Sequence, residues 1–368
     1  MKKKKVIISV ISDLVTDQRV HKTAQCLHEQ GFNVLLIGRK MKKSAEMPPR
    51  DYRVKRVVLP FETSFLFYAS YNIWNFFFLL FNKVDILHSN DLDTLFPNFL
   101  ISKLKGIPLV YDSHEYFTGV PEIKKKPFVR FVWGSIEKYV FPKLKYVYTV
   151  NQSIANIYEG LYNVKVGVVR NVSFLNQENL SLDRSTLPEQ NVIVYQGMLN
   201  MDRGLEEVIL AMQYVDNIKF IIIGGGDVEH KLQELVKQNN LESKVEFTGK
   251  LQYKEMIEIT KKATIGISVE KPTNENYIYC LPNKVFDYLH AGIPILTSRL
   301  IEIESIVTKY DVGTFLESHI PKEIASKLNE VINNKEQLIH WKKNTQKAAL
   351  ACNWQLESEL IKNIYAKL

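Results

Sequence analysis

The stretch Tyr279–Leu296, YCLPNKVFDYLHAGIPIL, decides how the chain is read. Its Leu281-Pro282 pair stops an extended segment, and the amphipathic run Lys284–His290 reads as a short helix. Pro282 is pre-set for a helix start and Gly292 suits a C-terminal cap, after which Ile293–Leu296 reads as a buried strand. The turn presents backbone N–H groups, the positive end of a helix dipole and the Lys284 ammonium to one spot, where an anion is stabilised. Asp287, one turn on, is an acceptor for hydroxyls beside that anion. A phosphate next to a diol is what a sugar nucleotide offers, although many α/β domains carry the same turn with no ligand.

Outward from this stretch, short apolar strands alternate with helices along the chain. Lys5–Ile11, Phe32–Ile37, Tyr52–Leu59, Asp85–His88 and Pro108–Tyr111 read as strands, with helices at Asp17–Gln30 and Thr94–Lys105. The polar tract Leu175–Gln190 reads as a linker. The alternation then restarts: strands Val192–Gln196, Lys219–Ile223, Lys244–Phe247, Ile265–Val269 and Val312–Phe315, helices Leu205–Met212, Val228–Asn239, Lys254–Ala263 and Pro321–Asn333. This pattern predicts an α/β protein of two doubly wound parallel sheets in tandem. The expected division is a first domain at 1–174, a linker at 175–190, a second domain at 191–350 and an amphipathic helix at 351–368 that crosses back onto the first domain.

The 368 residues suffice for two cores. Three scattered cysteines, Cys26, Cys280 and Cys352, show no metal-ligand spacing and suit a reducing cytoplasm. Charge is uneven. Residues 1–170 hold 26 Lys/Arg against 14 Asp/Glu, a net of +12, and the remainder holds 22 against 26, a net of −4. A basic first half points to an anionic surface, with membrane lipid or a lipid-linked diphosphate as the candidate partner. The basic residues are scattered and form no known nucleic-acid module, so no nucleic-acid partner is expected. Phe61–Phe81, FETSFLFYASYNIWNFFFLLF, approaches transmembrane length but is broken by Glu62, Asn72 and Asn75. It reads as a core-facing helix, as a partly exposed apolar helix that docks on a membrane or an acyl chain, or as a true membrane span.

YQGMLNMDRGLEEVI, IIIGGGD, FTGKL and LPNKVFDYLHAGIPI, in that order, resemble the second domain of the retaining GT-B-fold glycosyltransferases of family 4. The opening SDLVTDQRVHKTAQCLHEQGFNVLLIGRK, then DILHSND and VYDSHEY, resemble the same family's first domain. The resemblance spans nearly the whole chain. It implies two Rossmann-like domains facing a cleft, with a UDP- or GDP-linked sugar donor on the second and a sugar or lipid-linked glycan acceptor on the first. It also implies a leaving diphosphate neutralised by cationic side chains and a helix N-terminus, with no metal and no cofactor.

Carried over position by position, Arg203 matches the basic residue of the strand–loop–helix turn, and Lys284 with Asn283 matches the second phosphate contact. Gly197 belongs to the first phosphate motif, and Gly225, within Gly224–Gly226, lets base or ribose approach the backbone. Asp287 matches the second glutamate of the family's paired-glutamate motif, which holds the ribose. The first glutamate falls on Tyr279, so Glu275, Asn276 or backbone near Tyr279 substitutes, and a common phosphate arginine is Met198 here. His114 matches a histidine near the reacting sugar, where a neutral imidazole hydrogen-bonds a hydroxyl. Arg19 is a candidate phosphate cation, and Asn90 and Asp91 are candidate acceptor contacts. Asp91-Leu92-Asp93 also spells the metal-binding triplet of the other glycosyltransferase fold, which the two-unit pattern contradicts.

The reading is a cytoplasmic, peripherally membrane-associated hexosyltransferase of cell-surface polysaccharide synthesis. Its rivals are a non-hydrolysing nucleotide-sugar 2-epimerase and a non-catalytic sugar-nucleotide or glycan-lipid binding protein.

Overall fold

Runs of two to eight residues, mostly apolar apart from the RVKRVV of Arg53–Val58, become the strands of two wholly parallel sheets. The computed structural model describes residues 3–119 and 126–368. Among these, β1 (Lys5–Ser9), β2 (Asn33–Lys40), β3 (Arg53–Val58), β4 (Ile86–Asn90), β5 (Leu109–Ser113), β6 (Tyr146–Thr149) and β7 (Gly167–Val168) pair in the order β3-β2-β1-β4-β5-β6-β7. A second sheet runs β10-β9-β8-β11-β12-β13, from β8 (Asn191–Gln196), β9 (Ile218–Ile223), β10 (Val245–Gly249), β11 (Ile265–Ser268), β12 (Ile295–Ser298) and β13 (Gly313–Leu316). Both agree with the expected doubly wound α/β class. In each sheet the strand order reverses beside the first strand, between β1 and β4 and between β8 and β11. Ligands of open α/β sheets bind outside the strand C-termini at such a switch point.

The chain divides into one unit of Met1–Arg170 with Glu357–Leu368, and another of Asn171–Leu356. The division falls a few residues before the 174/175 boundary read from the sequence. The reason is local: Trp354 N–H donates to Ser173 O, and the Phe174 and Trp354 rings pack edge to face. The 175–190 tract is no bare tether either. It holds a short helix, Gln177–Leu180, and Arg184 is buried, donating to Thr345 and to three backbone carbonyls.

In the first unit the helices Ser64–Phe81, Leu92–Lys105 and Pro127–Val140 connect β3 to β4, β4 to β5 and β5 to β6. These crossovers all step the same way across the sheet, so right-handedness puts all three helices on one face. Pro97 lies inside Leu92–Lys105 and lacks the N–H that would bond Asp93 O. Asn72 Nδ2 takes over, donating to that carbonyl at 2.9 Å. The C-terminal helix Trp354–Tyr365 brings Tyr365 into the first core, where its hydroxyl meets His88 Nδ1 at 2.8 Å and its ring packs on Phe32. Burial pushes His88 down to about 4, so it is a neutral core imidazole at pH 7.

Helices absent from the sequence reading are Pro127–Val140, Gln152–Tyr162, Ile301–Tyr310 and Lys335–Ala351, and strands β6 and β7 are absent from it too. The segment before Leu281-Pro282 is a short helix, Glu275–Ile278, capped by Asn274, and not an extended run.

Candidate functional site

In the second unit the deciding stretch folds as helix Asn283–Ala291 feeding β12. Pro282 occupies the N-cap and offers no side-chain cap bond, and Gly292 closes the helix at φ +78°. Val285 N–H donates to Pro282 O, and the N–H groups of Asn283 and Lys284 with the dipole's positive end stay open to a ligand. Lys284, on that first turn, is buried. Its Nζ lies 2.8 Å from Glu270 Oε1 and 3.9 Å from the centre of the Tyr195 ring.

Glu270 follows β11 and is fully buried. Ser268 Oγ donates to its Oε2 at 2.8 Å, and Arg203 Nη1 approaches its Oε1 at 3.2 Å. Burial alone would raise this carboxyl. Lys284 and Arg203 outweigh burial and hold it down at about 2. Arg203 stacks over Tyr277, its centre 4.9 Å from the ring, and its Nε is buried with no hydrogen-bond partner. The side chain is 22% exposed, and its fork carries donors beyond the one that Nη1 gives to Glu270. The Arg203 loop is braced from the β11 side: Lys271 N–H donates to Asp202 O, Thr273 Oγ1 to Asp202 Oδ2, and Tyr277 O–H to Met201 O. Two cations about one carboxylate, beside an open helix N-terminus, leave a net positive charge at the β8/β11 switch point.

Gly197, at φ +136°, ends β8 next to this cluster. A Cβ placed there would lie 3.6 Å from Lys284 Cε. Gly224, at φ +141°, is required by its neighbours, because a Cβ would come 1.9 Å from Gly197 O. The β8 and β9 loops pass in contact, which explains this glycine by packing alone. Gly225 is more open, its added Cβ meeting only the flexible ends of Glu229 and Lys250 at 3.0 Å. Asn283 is exposed at the helix start, and Met198 is exposed where an arginine was expected.

Asp287 departs from expectation. Ser173 Oγ (2.6 Å) and Tyr253 O–H (2.9 Å) donate to its Oδ1, and Gln196 Nε2 (2.8 Å) to its Oδ2. Three protein donors occupy the carboxylate that sequence reasoning had offered to ribose hydroxyls. Its visible task is to tie β8 and helix Tyr253–Thr260 to helix Asn283–Ala291.

The first unit holds a second constellation at the C-terminal ends of β4 and β5. His114 Nδ1 lies 3.0 Å from Asp91 Oδ2, its Nε2 lies 3.2 Å from Asp112 Oδ2, and its backbone N–H donates to Asp91 Oδ1 at 2.8 Å. Burial would lower the imidazole, but Asp91 and Asp112 hold it well above its ordinary value. Both nitrogens face carboxylates, an arrangement that favours the imidazolium over the neutral ring expected from the sequence. Asp91 sits at φ 58°, ψ 167°, a backbone conformation that non-glycine residues rarely adopt.

Arg19 also differs from its role as a candidate phosphate cation. It is buried, with both Nε and Nη2 on Asp112 (2.9 and 2.6 Å) and Nη1 on Val169 O at 2.8 Å. Its charge is spent on holding Asp112. Asn90 is buried too, donating to Ser9 O and accepting within 3.3 Å of His114 Nε2, and is not an open acceptor contact. Asp91-Leu92-Asp93 does not converge: Asp91 turns to His114, and Asp93 is buried with its carboxyl pushed well up by burial and by Asp91. Among the described residues no group of three His, Cys, Asp or Glu side chains is placed to hold a metal ion.

Glu270 was missed from the sequence. A lone glutamate after an apolar strand marks a ligand-facing strand end, but only the fold brings it between Arg203 and Lys284.

Residues 178–348 match the family model for glycosyl transferases group 1, and residues 17–172 match glycosyltransferase family 4. An uncharacterized glycosyltransferase of Methanocaldococcus jannaschii, MJ1069, is 23% identical over 94% of this chain and 93% of its own. Sucrose-phosphate synthase from Thermosynechococcus elongatus superposes with a TM-score of 0.76 at 13% identity, covering 99% of both chains. Anabaena HepE in complex with UDP-glucose superposes at 0.74 and 13% identity, covering 99% of this chain and 100% of its own. WaaG, a glycosyltransferase involved in lipopolysaccharide biosynthesis, superposes at 0.73 and 15% identity, covering 97% and 98%.

Proposed function

We infer the reaction from one premise: the chain belongs to the glycosyltransferases of group 1 and family 4. On the finer points, the chain moves a hexose from a UDP- or GDP-linked donor to a hydroxyl of a lipid-linked glycan, with retention at the anomeric carbon, in the cytoplasm. The observation that carries the donor side is Glu270 held between Arg203 and Lys284 at the mouth of the second sheet. As the bond from the sugar's anomeric carbon to the phosphate oxygen breaks, negative charge grows on the departing diphosphate. Lys284, the remaining Arg203 donors and the open N–H groups at Asn283 and Lys284 stabilise that charge without a metal ion, and water has no need to reorganise. Gly197 and Gly225 leave the phosphates and the nucleoside room against the backbone. HepE's complexes with UDP and UDP-glucose support a uridine donor by likeness.

The acceptor side rests on the first unit. His114, charged, gives both ring N–H groups to Asp91 and Asp112, so it fixes those carboxylates near the acceptor and does not serve as a general base. Asp112, fixed by Arg19, and Asp91 are positioning residues.

A thermal-shift titration with UDP and GDP tests the donor site. Wild type is stabilised by one of them, and Arg203→Ala and Lys284→Ala each lose most of that shift. A full shift in both variants, or transfer abolished by a chelator and restored by manganese, overturns the reading. Magnetic-resonance assignment of the product's anomeric configuration decides retention.

A further inference from the structure

Eighteen consecutive residues of a surface helix, Ser64–Phe81, carry no charged side chain. Its inner stripe, Phe67, Tyr71, Asn75 and Leu79, is buried. Tyr71 O–H donates to Val10 O at 2.6 Å, and Asn72 is bonded to Asp93 O, so the helix is fastened to the first sheet and its neighbour. By length and composition it would cross a bilayer, yet these bonds keep it lying on the fold. Its outer stripe is Phe65, Ala69, Ile73, Phe77 and Phe81, spaced four apart along one line. Phe65 is 71% and Phe81 is 80% exposed.

Helix Pro127–Val140 on the same face adds Phe128 at 78% and Phe131 at 71% exposure. Tyr68 and Trp133 join the two helices edge to face. Helix Leu92–Lys105 adds Leu104. The exposed charges on these three helices are all basic: Lys103, Arg130 and Lys138. Their acids, Asp93 and Glu137, are buried. Cations also cover the aromatic edges, with Lys55 over Phe78, Lys103 over Phe99, and Lys143 over Phe99 and Tyr139. A soluble surface rarely leaves so many large aromatics in contact with water.

We propose that this face of the first unit, formed by helices Ser64–Phe81, Leu92–Lys105 and Pro127–Val140, docks flat on a bilayer rich in anionic lipid. The aromatic stripes enter the headgroup–acyl boundary, and the lysines and arginines meet lipid phosphates. Charge complementarity selects this occupant. A second copy seated on the same face would bring Lys103, Arg130 and Lys138 against their own duplicates. The proposal goes beyond the transfer reaction, and binding to vesicles is measured with no sugar donor present, so the failure of one reading leaves the other standing.

The experiment is co-sedimentation of the full chain with vesicles of phosphatidylcholine, with and without about 30 mol % phosphatidylglycerol. Wild type pellets with the anionic vesicles and far less with the neutral ones. Phe65→Ser/Phe77→Ser/Phe131→Ser weakens anionic-vesicle binding by about tenfold or more while its circular dichroism is unchanged. Lys103→Glu/Arg130→Glu/Lys138→Glu, which removes no apolar surface, abolishes the preference for anionic vesicles. No pelleting, equal binding of all three proteins, or an aromatic-dependent dimer that ignores vesicles overturns the proposal.

Discussion

The two units place opposite charge patterns at equivalent points of their sheets. In the first, a cation, His114, is held between two carboxylates, Asp91 and Asp112, and Arg19 completes a group with no net charge. In the second, an anion, Glu270, is held between two cations, Arg203 and Lys284, and one positive charge is left over. On the proposed reading, the same strand-end geometry gives one lobe a charge-balanced cluster and the other a site for an anion. Position on an α/β fold says where a ligand goes; the sign of the surplus charge says which ligand.

The strongest way to break this contrast is to remove the surplus. Lys284→Ala or Arg203→Ala lowers kcat/KM by about 10²- to 10³-fold in a steady-state assay with a responsive donor. Loss of activity with the nucleotide thermal shift intact would mean the cations act elsewhere than on the diphosphate.

Next in size is the anion itself. Glu270→Gln lowers unfolding free energy by about 3 kcal/mol in urea titrations, because two partly buried cations lose their shared partner. The folded carboxyl sits at about 2, below its ordinary 4.5. Its contribution is therefore complete above pH 4.5 and is lost as pH falls toward 2, which wild-type melts show and Glu270→Gln melts do not.

The first unit sharpens the contrast from the other side. His114 is raised above its ordinary 6.5, so its stabilising effect is full below pH 6.5 and fades as pH rises through the folded value. Asp91→Asn removes one of its two carboxylates. The alkaline limb of the activity profile then moves to lower pH, with a loss in kcat of about tenfold. An unmoved limb would separate His114's charge from turnover. The smallest effect belongs to Asn72→Ala, which frees the Asp93 carbonyl beside Pro97 and costs about 1 kcal/mol in a thermal melt.

The strands were the most legible part of the sequence, because parallel strands buried on both faces must be unbroken apolar runs, as in Val6–Ile8 and Ile193–Tyr195. Helix Lys335–Ala351 escaped notice for the converse reason. It buries Leu338, Trp341, Thr345, Ala348 and Ala349, too polar and too small a set to stand out as a stripe. Lys284, Asn283 and Gly197 were readable as neighbours, being members of one local turn and its facing strand end. Glu270 was not, because its partners lie 67 and 14 residues away along the chain. Asn90 ends β4, Arg19 lies in the first turn of helix Gln18–Glu29 and Asp287 lies one turn into helix Asn283–Ala291, as read from the sequence. Whether such a side chain faces solvent or a neighbouring protein group depends on contacts at long sequence separation, which spacing does not encode.

The first unit is not contiguous along the chain, since Glu357–Leu368 belongs to it. Translation therefore supplies the last piece of the first lobe only after the entire second lobe has been made. Until Tyr365 arrives, His88 and Phe32 have no lid, and Arg170 waits for Glu357, which it later grips at 2.5 Å. Synthesis order and folding order are thus uncoupled: the lobe begun first is the one finished last, and a nascent chain stalled before Glu357 presents an incomplete core to chaperones.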